Sequence, residues 1–484
     1  MIRHAAPTLL SLAFLLAGAT GCGRKPVAPE DATQASAPTA GSVDWPSSNA
    51  VPADRLEWSR RTLVSAYNEA GVRDPRWDTD AREALEAFAR VRSGNDTNAS
   101  ARLKAALKRA SDVACSDPLL RYLNLRFEYG NASEANAAGA DAYHKAGDAL
   151  MRSGYPDIRK FYGAIRAAQA WKSAHGSSSN ATQVMSHFRR GAFFHLQPVL
   201  RAPDTPFIEA YEAADELRGA IFSNSKQEDD VLPVLIDCFQ SRWPQEARAL
   251  TLCGQANVRL AWNRRGSGYA DSVTDQGWKE FARYLAEAER LLERSWATDP
   301  AISDTAVAMM GVELGQGRGR DRMELWFRRA MTVDPACYDA AYSKAWYLQP
   351  KWHGSAEEAI SFGRECVESK EWKGRVPLML WEAHRMLAND KASGLKDAHW
   401  THTGVWEDVR DSFERFFELN PDAIGWRHDY ALYAFKCGQF DKFLDLLPTM
   451  GWVNHPYFGG EKRFAEMVAD AEKKTGRKAT LPGK

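Results

Sequence analysis

The clearest pattern in this chain is an apolar residue that recurs every three or four positions from about Leu56 onward. Residues 83–91 and 281–296 each bring their apolar side chains to one side of a helix. A stripe of this kind has to be buried against neighbouring helices. Extended apolar and polar alternation, which indicates strands, is scarce. The pattern therefore predicts an all-α body.

Three segments of the body align without gaps and share one ending. They read LERSWATDP at 292–300, FRRAMTVDP at 327–335 and FERFFELNP at 413–421. In each segment a large apolar residue is followed four positions later by another, and then by Asp or Asn and Pro. Because proline disfavours helical geometry in the residue before it, each segment predicts the end of a helix with a buried stripe.

The first two of these segments begin 35 residues apart, close to the roughly 34-residue period of tetratricopeptide repeats. The third begins 86 residues later, and we expect a less regular hairpin between them with residues 356–366 as its second helix. Ala431, Gly438 and Phe440 match a first helix and its tight turn. Over residues 277–447 the chain resembles the tetratricopeptide family, which implies a helical-hairpin α-solenoid.

A second resemblance rests on four short segments. They are residues 266–269, 317–321, 326–335 and 350–354, which read GSGY, GRGRD, WFRRAMTVDP and PKWHG. Together they look like an uncharacterised family of bacterial helical-repeat proteins, known only as a domain of unknown function, over about residues 230–370. This resemblance supports a helical fold and implies no function.

Residues 1–22 have the organisation of an export signal. Arg3 precedes an apolar stretch from Ala5 to about Gly18, and small residues lead to Cys22. The stretch has the length of a signal peptide core and is too short to span a bilayer comfortably. The ending resembles the lipobox of bacterial lipoproteins, with Ala19 where Leu is usual, and implies that Cys22 carries the lipid. The alternative is an ordinary secretory signal with an incidental cysteine.

The position after the lipidated cysteine bears on the membrane in which such a protein resides. In lipoproteins of enteric type Asp there favours the inner membrane, and this chain has Gly23. We therefore expect a protein of the cell envelope, lipid-anchored on the outer membrane and facing the periplasm. Residues 23–54, rich in Pro, Ala, Ser, Thr and Gly, predict a disordered tether.

The remaining chain divides into three regions by pattern. Residues 55–230 look helical but irregular, residues 231–475 form the tetratricopeptide-like repeat region, and residues 476–484 form a tail. We place the join near the polar stretch at 223–230.

Charge and aromatic content narrow the range of functions. Lys and Arg total 63, as do Asp and Glu, so the net charge is zero. A nucleic-acid binder needs a basic surface for the phosphates, and we predict no nucleic-acid partner. The 17 tryptophans have two explanations, which are packing between helices and an aromatic groove for a peptide or sugar.

Six cysteines follow Cys22, and none of them forms a CxxC motif. Cys337 begins one helix and Cys366 nears the end of its proposed hairpin partner. In an antiparallel pair these ends lie together, so one alternative is a disulfide between the two. The other is a pair of buried free thiols, which are common in protein cores.

Two local groups resemble binding sites. Asp397, His399 and His402 supply metal-ligating side chains, but solvated or capping histidines explain them more simply, and we predict no metal site. The glycine-rich residues 315–321 lack the preceding strand and the Lys-Ser/Thr of a phosphate loop, and they indicate a tight turn between helices. No catalytic residue set and no cofactor site is predicted.

The main functional hypothesis is a membrane-anchored interaction or scaffold protein. Stacked hairpins create an extended surface suited to a peptide or protein partner, and aromatic and Arg side chains near Trp326 and Trp346 are candidate anchors. The alternative is an envelope enzyme or carbohydrate-handling protein with a pocket between helices. A purely architectural subunit with an exposed apolar patch is a third interpretation.

Overall fold

The computed structural model describes residues 53–94, 97–176, 179–222, 224–268, 270–390 and 396–482. Helices make up its regular structure, and none of these residues lies in a β-strand. The prediction of an all-α body is therefore confirmed. The signal peptide, Cys22 and nearly all of the tether lie outside the described residues.

The described chain divides into two compact units, and the boundary between them falls after Pro244. The boundary predicted from the sequence, at residue 230, lies within a helix that begins at Ser225. That helix starts where the Asn224 side chain accepts a hydrogen bond from the Gln227 amide at 3.2 Å. Residues 225–230 of the polar stretch thus form the beginning of a helix.

The N-terminal unit contains ten α-helices within its described residues. Their bounds are α1 Ala53–Arg60, α2 Ala66–Ala70, α3 Asp78–Ser93, α4 Thr97–Asp112, α5 Pro118–Glu128, α6 Ala137–Met151, α7 Asp157–His175, α8 Ser179–Arg201, α9 Phe207–Ile221 and α10 Ser225–Arg242. A π-helical segment, Arg61–Ser65, joins α1 to α2. Helix α7 packs along both α6 and α8, and α3 packs along α4.

Asp117 fixes the start of α5. Its carboxylate is fully buried and accepts hydrogen bonds from the amides of Leu119 at 2.9 Å and Leu120 at 3.0 Å. The same group accepts from the Val72 amide and the Tyr155 hydroxyl, each at 2.9 Å. An aspartate cap followed by proline is a strong helix start, and here the cap also ties three segments of the unit together.

The C-terminal unit contains eleven α-helices within its described residues. Their bounds are α11 Ala247–Arg265, α12 Asp275–Thr298, α13 Ser303–Gln316, α14 Arg320–Val333, α15 Tyr338–Tyr347, α16 Ala356–Glu368, α17 Met379–Ala388, α18 Val405–Leu419, α19 Arg427–Lys436, α20 Phe440–Leu446 and α21 Glu461–Thr475. Short 3₁₀ segments occupy several connections, including Val376–Leu378 and Lys396–Thr401.

The three helix ends predicted from the Asp-Pro and Asn-Pro pairs are observed. Helices α12, α14 and α18 end one residue before Asp299, Asp334 and Asn420. The Asp299 carboxylate then accepts from the Ala301 amide at 3.0 Å, and Asp334 accepts from Ala336 at 2.9 Å. The side chain caps the turn that proline enforces, so the helix stops and the chain reverses within a few residues.

Packing in the C-terminal unit is between near neighbours in sequence. Consecutive helices contact each other from α11 to α21, and next-but-one contacts join α11 to α13, α13 to α15, α15 to α17, and α16 to α18. The predicted stripe residues Leu292, Phe327 and Phe413 are all buried. Each helix therefore hides its apolar stripe against the helices that precede and follow it.

Candidate functional site

Alternate helices of the C-terminal unit carry aromatic and charged side chains that meet on one face. We call it the α15/α17/α19 face. Helix α15 contributes tyrosines, α17 contributes a Glu and an Arg, α19 contributes an Asp and a Tyr, and the loop before α17 contributes an Arg. The members are Tyr338, Tyr342, Arg375, Glu382, Arg385, Asp429 and Tyr433, and all except Glu382 are half-buried.

The contacts between α15 and α17 centre on Glu382. The Tyr338 hydroxyl donates to Glu382 Oε1 at 3.0 Å, and Arg385 Nε lies 3.2 Å from Glu382 Oε2. The Arg375 guanidinium stacks over the Tyr338 ring at 4.3 Å from its centroid. These contacts hold a phenol and two guanidiniums in fixed positions while part of each stays open to solvent.

Trp381 forms the floor between α17 and α19. Its ring is 1% exposed, lies 5.2 Å from the Tyr433 ring in an edge-on arrangement, and carries the Arg385 guanidinium at 4.8 Å. Asp429, one turn before Tyr433, accepts a short hydrogen bond from the Tyr457 hydroxyl. A large buried aromatic thus positions the polar side chains above it.

Burial sets the protonation of this face. It raises the pKa of Glu382, against the opposing effects of Arg385 and the Tyr338 hydrogen bond. Burial likewise raises the pKa of Asp429, and it raises the pKa of Tyr342 and Tyr433 to about 12. The tyrosine hydroxyls therefore remain neutral donors across the physiological range.

Local helical spacing explains why these side chains share a face. Tyr338 and Tyr342 are four residues apart on α15, and Asp429 and Tyr433 have the same spacing on α19. Residues separated by four positions lie on one side of a helix. The two anchors named from the sequence, Trp326 and Trp346, are 4% and 6% exposed. They are core side chains that offer a ligand little surface.

The predicted group of Asp397, His399 and His402 is not the group that the structure brings together. The Asp397 carboxylate is exposed and lies 3.5 Å from Lys436 Nζ. His399 Nε2 instead lies 2.9 Å from Nδ1 of His384, and His384 Nε2 lies 3.0 Å from Asp408 Oδ2. His399, His384 and Asp408 thus form a chain of three buried ionisable groups, in place of the local group predicted from the sequence.

Arg364 completes this histidine chain, which we define as Arg364, Asp408, His384 and His399. The guanidinium donates to both oxygens of Asp408 at 2.9 Å. Although burial has the opposite effect, hydrogen bonds from His384 and Arg364 keep the pKa of Asp408 below its ordinary value. The carboxylate is therefore ionised, and His384 donates its Nε2 proton to it.

The two imidazoles meet in one N···N contact of 2.9 Å. Their ring centroids are 5.2 Å apart. This distance is the N···N distance plus about one ring radius for each imidazole, so the two nitrogens lie on the line between the rings and point at each other. This in-line arrangement fits N–H···N and not two ligands arranged tetrahedrally around a metal. Burial, with His384 and His402 nearby, lowers the pKa of His399 to about 4. Within the described residues no group of three or more His, Cys, Asp or Glu is arranged to hold a metal ion.

The histidine chain has no signal in the sequence. Arg364, His384 and Asp408 lie on α16, α17 and α18, separated by 20 and 24 residues. No motif with such spacing is specific, because the loops between the helices decide whether the side chains meet. His399 alone was singled out, and its true partner His384 was not.

The Cys337 and Cys366 side chains are buried in one hydrophobic core cluster. A disulfide between them stays a prediction. Burial raises the pKa of Cys337 to about 12 and raises that of Cys366 well above its ordinary value, so neither thiol is activated as a nucleophile.

The glycine-rich residues 315–321 span the end of α13 and the start of α14, and residues 317–319 form the turn between them. Gly317 ends α13 with φ at 61°, in the left-handed region, where glycine is favoured. Arg318 pairs with Glu289 at 2.7 Å. The turn is thus a helix termination stabilised by an ion pair, as the tight-turn interpretation expects.

Segments that carried the second resemblance lie close to one another. Arg265 Nη1 donates to the Gly268 carbonyl at 2.8 Å, and its guanidinium lies 5.9 Å from the Trp352 ring. His353 Nε2 lies 3.0 Å from the Leu314 carbonyl oxygen, just before the glycine-rich turn. These contacts give the motifs a structural role at the ends of α11, α13 and α15.

Neither a protein-family model nor any curated protein matches this sequence. Within the described residues, no helix combines the length and the apolar character needed to cross a membrane.

Proposed function

We propose that this protein is a lipid-anchored scaffold of the cell envelope that binds a peptide or protein partner through the α15/α17/α19 face. Cys22 is its lipid attachment site, and the body faces the periplasm from the outer membrane. The C-terminal unit acts as a tetratricopeptide-like α-solenoid. The observation that carries the proposal is the convergence of tyrosines, arginines and carboxylates from three alternate helices.

The packing order supports a solenoid. Each helix of the C-terminal unit contacts its neighbours in sequence, and four next-but-one pairs from α11 to α18 are also in contact, which is how stacked hairpins bury their stripes. The 35-residue spacing of two Pro-terminated helix ends agrees with this arrangement. In such a stack the first helices of successive hairpins line a common surface, and α15, α17 and α19 occupy those positions.

The chemistry of the face favours a peptide. Tyr and Arg are the residue types that most often dominate binding energy at protein interfaces. Here Tyr433 and Arg385 are held by Trp381, so little side-chain entropy is lost when a partner binds. A peptide chain supplies carbonyls for the guanidiniums and phenols, and side chains for the spaces between the rings.

The partner test compares matched variants of the detergent-solubilised lipidated protein. A partner captured by the wild type is purified and its affinity measured directly. We expect Arg385→Ala to weaken binding at least 30-fold, which corresponds to about 2 kcal/mol. Arg463→Ala on α21 removes an exposed Arg, 59% accessible at its side chain, and should leave the affinity unchanged. If both variants lose affinity equally, or if neither loses affinity, the α15/α17/α19 face is not the binding surface.

The anchor has its own test. Cys22→Ser should abolish incorporation of labelled palmitate and release the protein from the membrane fraction, because only a thiol carries the diacylglycerol. Unchanged fractionation of this variant would contradict lipidation while leaving the binding face to be judged separately.

A second candidate function, an envelope enzyme, rests on the histidine chain. An ionised carboxylate that orients a histidine is the arrangement found behind general bases. Purified wild type and His384→Gln would be compared for turnover of an envelope polymer. Turnover that His384→Gln abolishes, with no partner binding at the face, would replace the scaffold proposal by the enzymatic one.

A further inference from the structure

A network of fully and partly buried charges lies where α1, α3, α7 and α9 of the N-terminal unit meet. Glu209 is fully buried, and its two oxygens lie 2.8 Å from Arg55 Nε and 2.7 Å from Arg92 Nη2. Glu212 contacts the same two guanidiniums at 2.7 and 3.0 Å. These four side chains compensate one another with good geometry.

Arg159 lies in the same interior without such compensation. Its side chain on α7 belongs to a residue that is 3% exposed. Nη2 donates to Thr62 Oγ1 at 2.6 Å and Nε to the Thr62 carbonyl at 3.4 Å, while the guanidinium lies 5.7 Å from the Trp58 ring centroid. Among the described residues no carboxylate is within ion-pair distance of Arg159, and its Nη1 makes no hydrogen bond.

The buried Arg159 guanidinium does not become neutral by losing its proton at physiological pH. Burial, which removes the guanidinium from water, lowers the pKa of Arg159 to about 10. That value is still well above physiological pH, so the side chain stays charged. An unpaired charge taken out of water is strongly unfavourable, and a stable fold therefore calls for a counter-charge at this position.

The neighbouring carboxylates do not supply it. Glu209 attracts Arg159 electrostatically, but its oxygens are already engaged by Arg55 and Arg92. Arg166 of the same unit pairs with Glu216. Among the described residues this network contains four guanidiniums and three carboxylates, which leaves one positive charge in excess.

Several other donors in this region also lack acceptors. Arg92 Nε, Ser59 Oγ and Ser93 Oγ are buried and have no hydrogen-bond partner among the described residues. Ser59 lies on α1, one turn before Thr62, and Ser93 follows Arg92 on α3. Buried donors left without acceptors are rare in native structures and usually indicate an unseen water, ion or ligand. Here the missing groups are acceptors, and the local charge is positive.

We propose that the interior of the N-terminal unit binds a small oxyanion, carried by a carboxylate or phosphate group, through Arg159 and Arg92. Arg159 Nη1 and Arg92 Nε provide the free donors, and the anion supplies the fourth negative charge of the network. Guanidinium groups are well suited to both kinds of oxyanion. The site is separate from the α15/α17/α19 face and does not depend on the function proposed for it.

The test is thermal unfolding of the full mature chain, followed by circular dichroism while inorganic phosphate or acetate is added in separate titrations. Sodium chloride holds the ionic strength constant, because screening alone also changes stability. We expect a saturable rise in Tm in at least one titration. A response to phosphate alone identifies a phosphate-bearing ligand, and a response to acetate alone identifies a carboxylate.

Matched variants assign the response to Arg159. Arg159→Met should weaken the apparent anion affinity at least 10-fold. Arg126→Met, which removes an exposed Arg of the same unit, changes the net charge equally and should respond like the wild type. Arg159→Lys, which keeps the charge and loses the planar fork, should also bind more weakly. No saturable response of the wild type, or equal responses of wild type and Arg159→Met, would overturn the proposal even if a variant failed to fold.

Discussion

His384 and His399 face each other nitrogen to nitrogen at 2.9 Å, although 15 residues of chain separate them. His384 is 2% exposed and His399 6%, so the hydrogen bond between them is shielded from water. Protonation of His399 would place a positive ring in the core beside His384, where burial disfavours the charge. The pair therefore links the stability of the C-terminal unit to pH.

We predict that this unit loses stability as the pH falls from about 6.5 to about 4. The folded pKa of His399 is about 4, below its ordinary value of 6.5. The unfolded chain therefore binds the proton first, and the stabilisation present above pH 6.5 is lost on acidification. The shift corresponds to at most about 3.4 kcal/mol. Urea unfolding at a series of pH values measures it.

Two variants make the pH prediction specific. His399→Gln should flatten the dependence of unfolding free energy on pH in that window. His187→Gln, which removes a histidine whose side chain is 59% exposed, should leave the dependence as in the wild type. Parallel curves for His399→Gln and wild type would show that the buried pair does not control the effect.

Asp117→Ala should strongly destabilise the N-terminal unit. The substitution removes the acceptor of four hydrogen bonds, from Val72, Leu119, Leu120 and Tyr155, and leaves buried donors without partners. We expect a loss of about 2–4 kcal/mol in the free energy of unfolding, from the cap and the unsatisfied groups together. Asp112→Ala, at a position 59% exposed, should change it by less than about 0.5 kcal/mol.

Gly363→Ala should loosen the contact between α16 and α17. A Cβ at this buried glycine would lie 2.6 Å from the Leu380 Cα atom, which is backbone and cannot move aside. The gain in helix propensity, about 1 kcal/mol, is smaller than the overpacking cost of about 1–3 kcal/mol, so a net loss is expected in urea unfolding. Gly425→Ala meets no atom within 4 Å and serves as the control; equal effects of the two substitutions would contradict the clash.

Thiol labelling decides between a disulfide and free cysteines at Cys337 and Cys366. Both are buried, and burial raises their pKa, so neither should react with a thiol reagent at pH 8 in the folded protein. In denaturant without reductant, free thiols at both positions would label fully. Failure of these two alone to label until a reductant is added would establish the disulfide.

Local features of the chain were determined by sequence. Proline after Asp or Asn stopped α12, α14 and α18 at the predicted positions, because the steric restriction acts within two residues. Leu292 and Phe413 are buried as their helical spacing required. The Asp117-Pro118 pair begins α5, whereas the buried contacts of Asp117 to Val72 and Tyr155 have no signal in the sequence.

Only the tertiary structure decided which distant side chains meet. His399 was paired with Asp397 by sequence proximity, whereas folding placed it against His384 and turned Asp397 toward solvent. Trp346 was expected as an anchor and is buried, while Tyr433 and Arg385 form the open face. The sequence contains no sign that Arg159 is buried without a counter-charge, because this depends on the residues that pack around it. Helical period fixes which side of a helix a residue occupies, but loop lengths and packing between helices fix what lies opposite it.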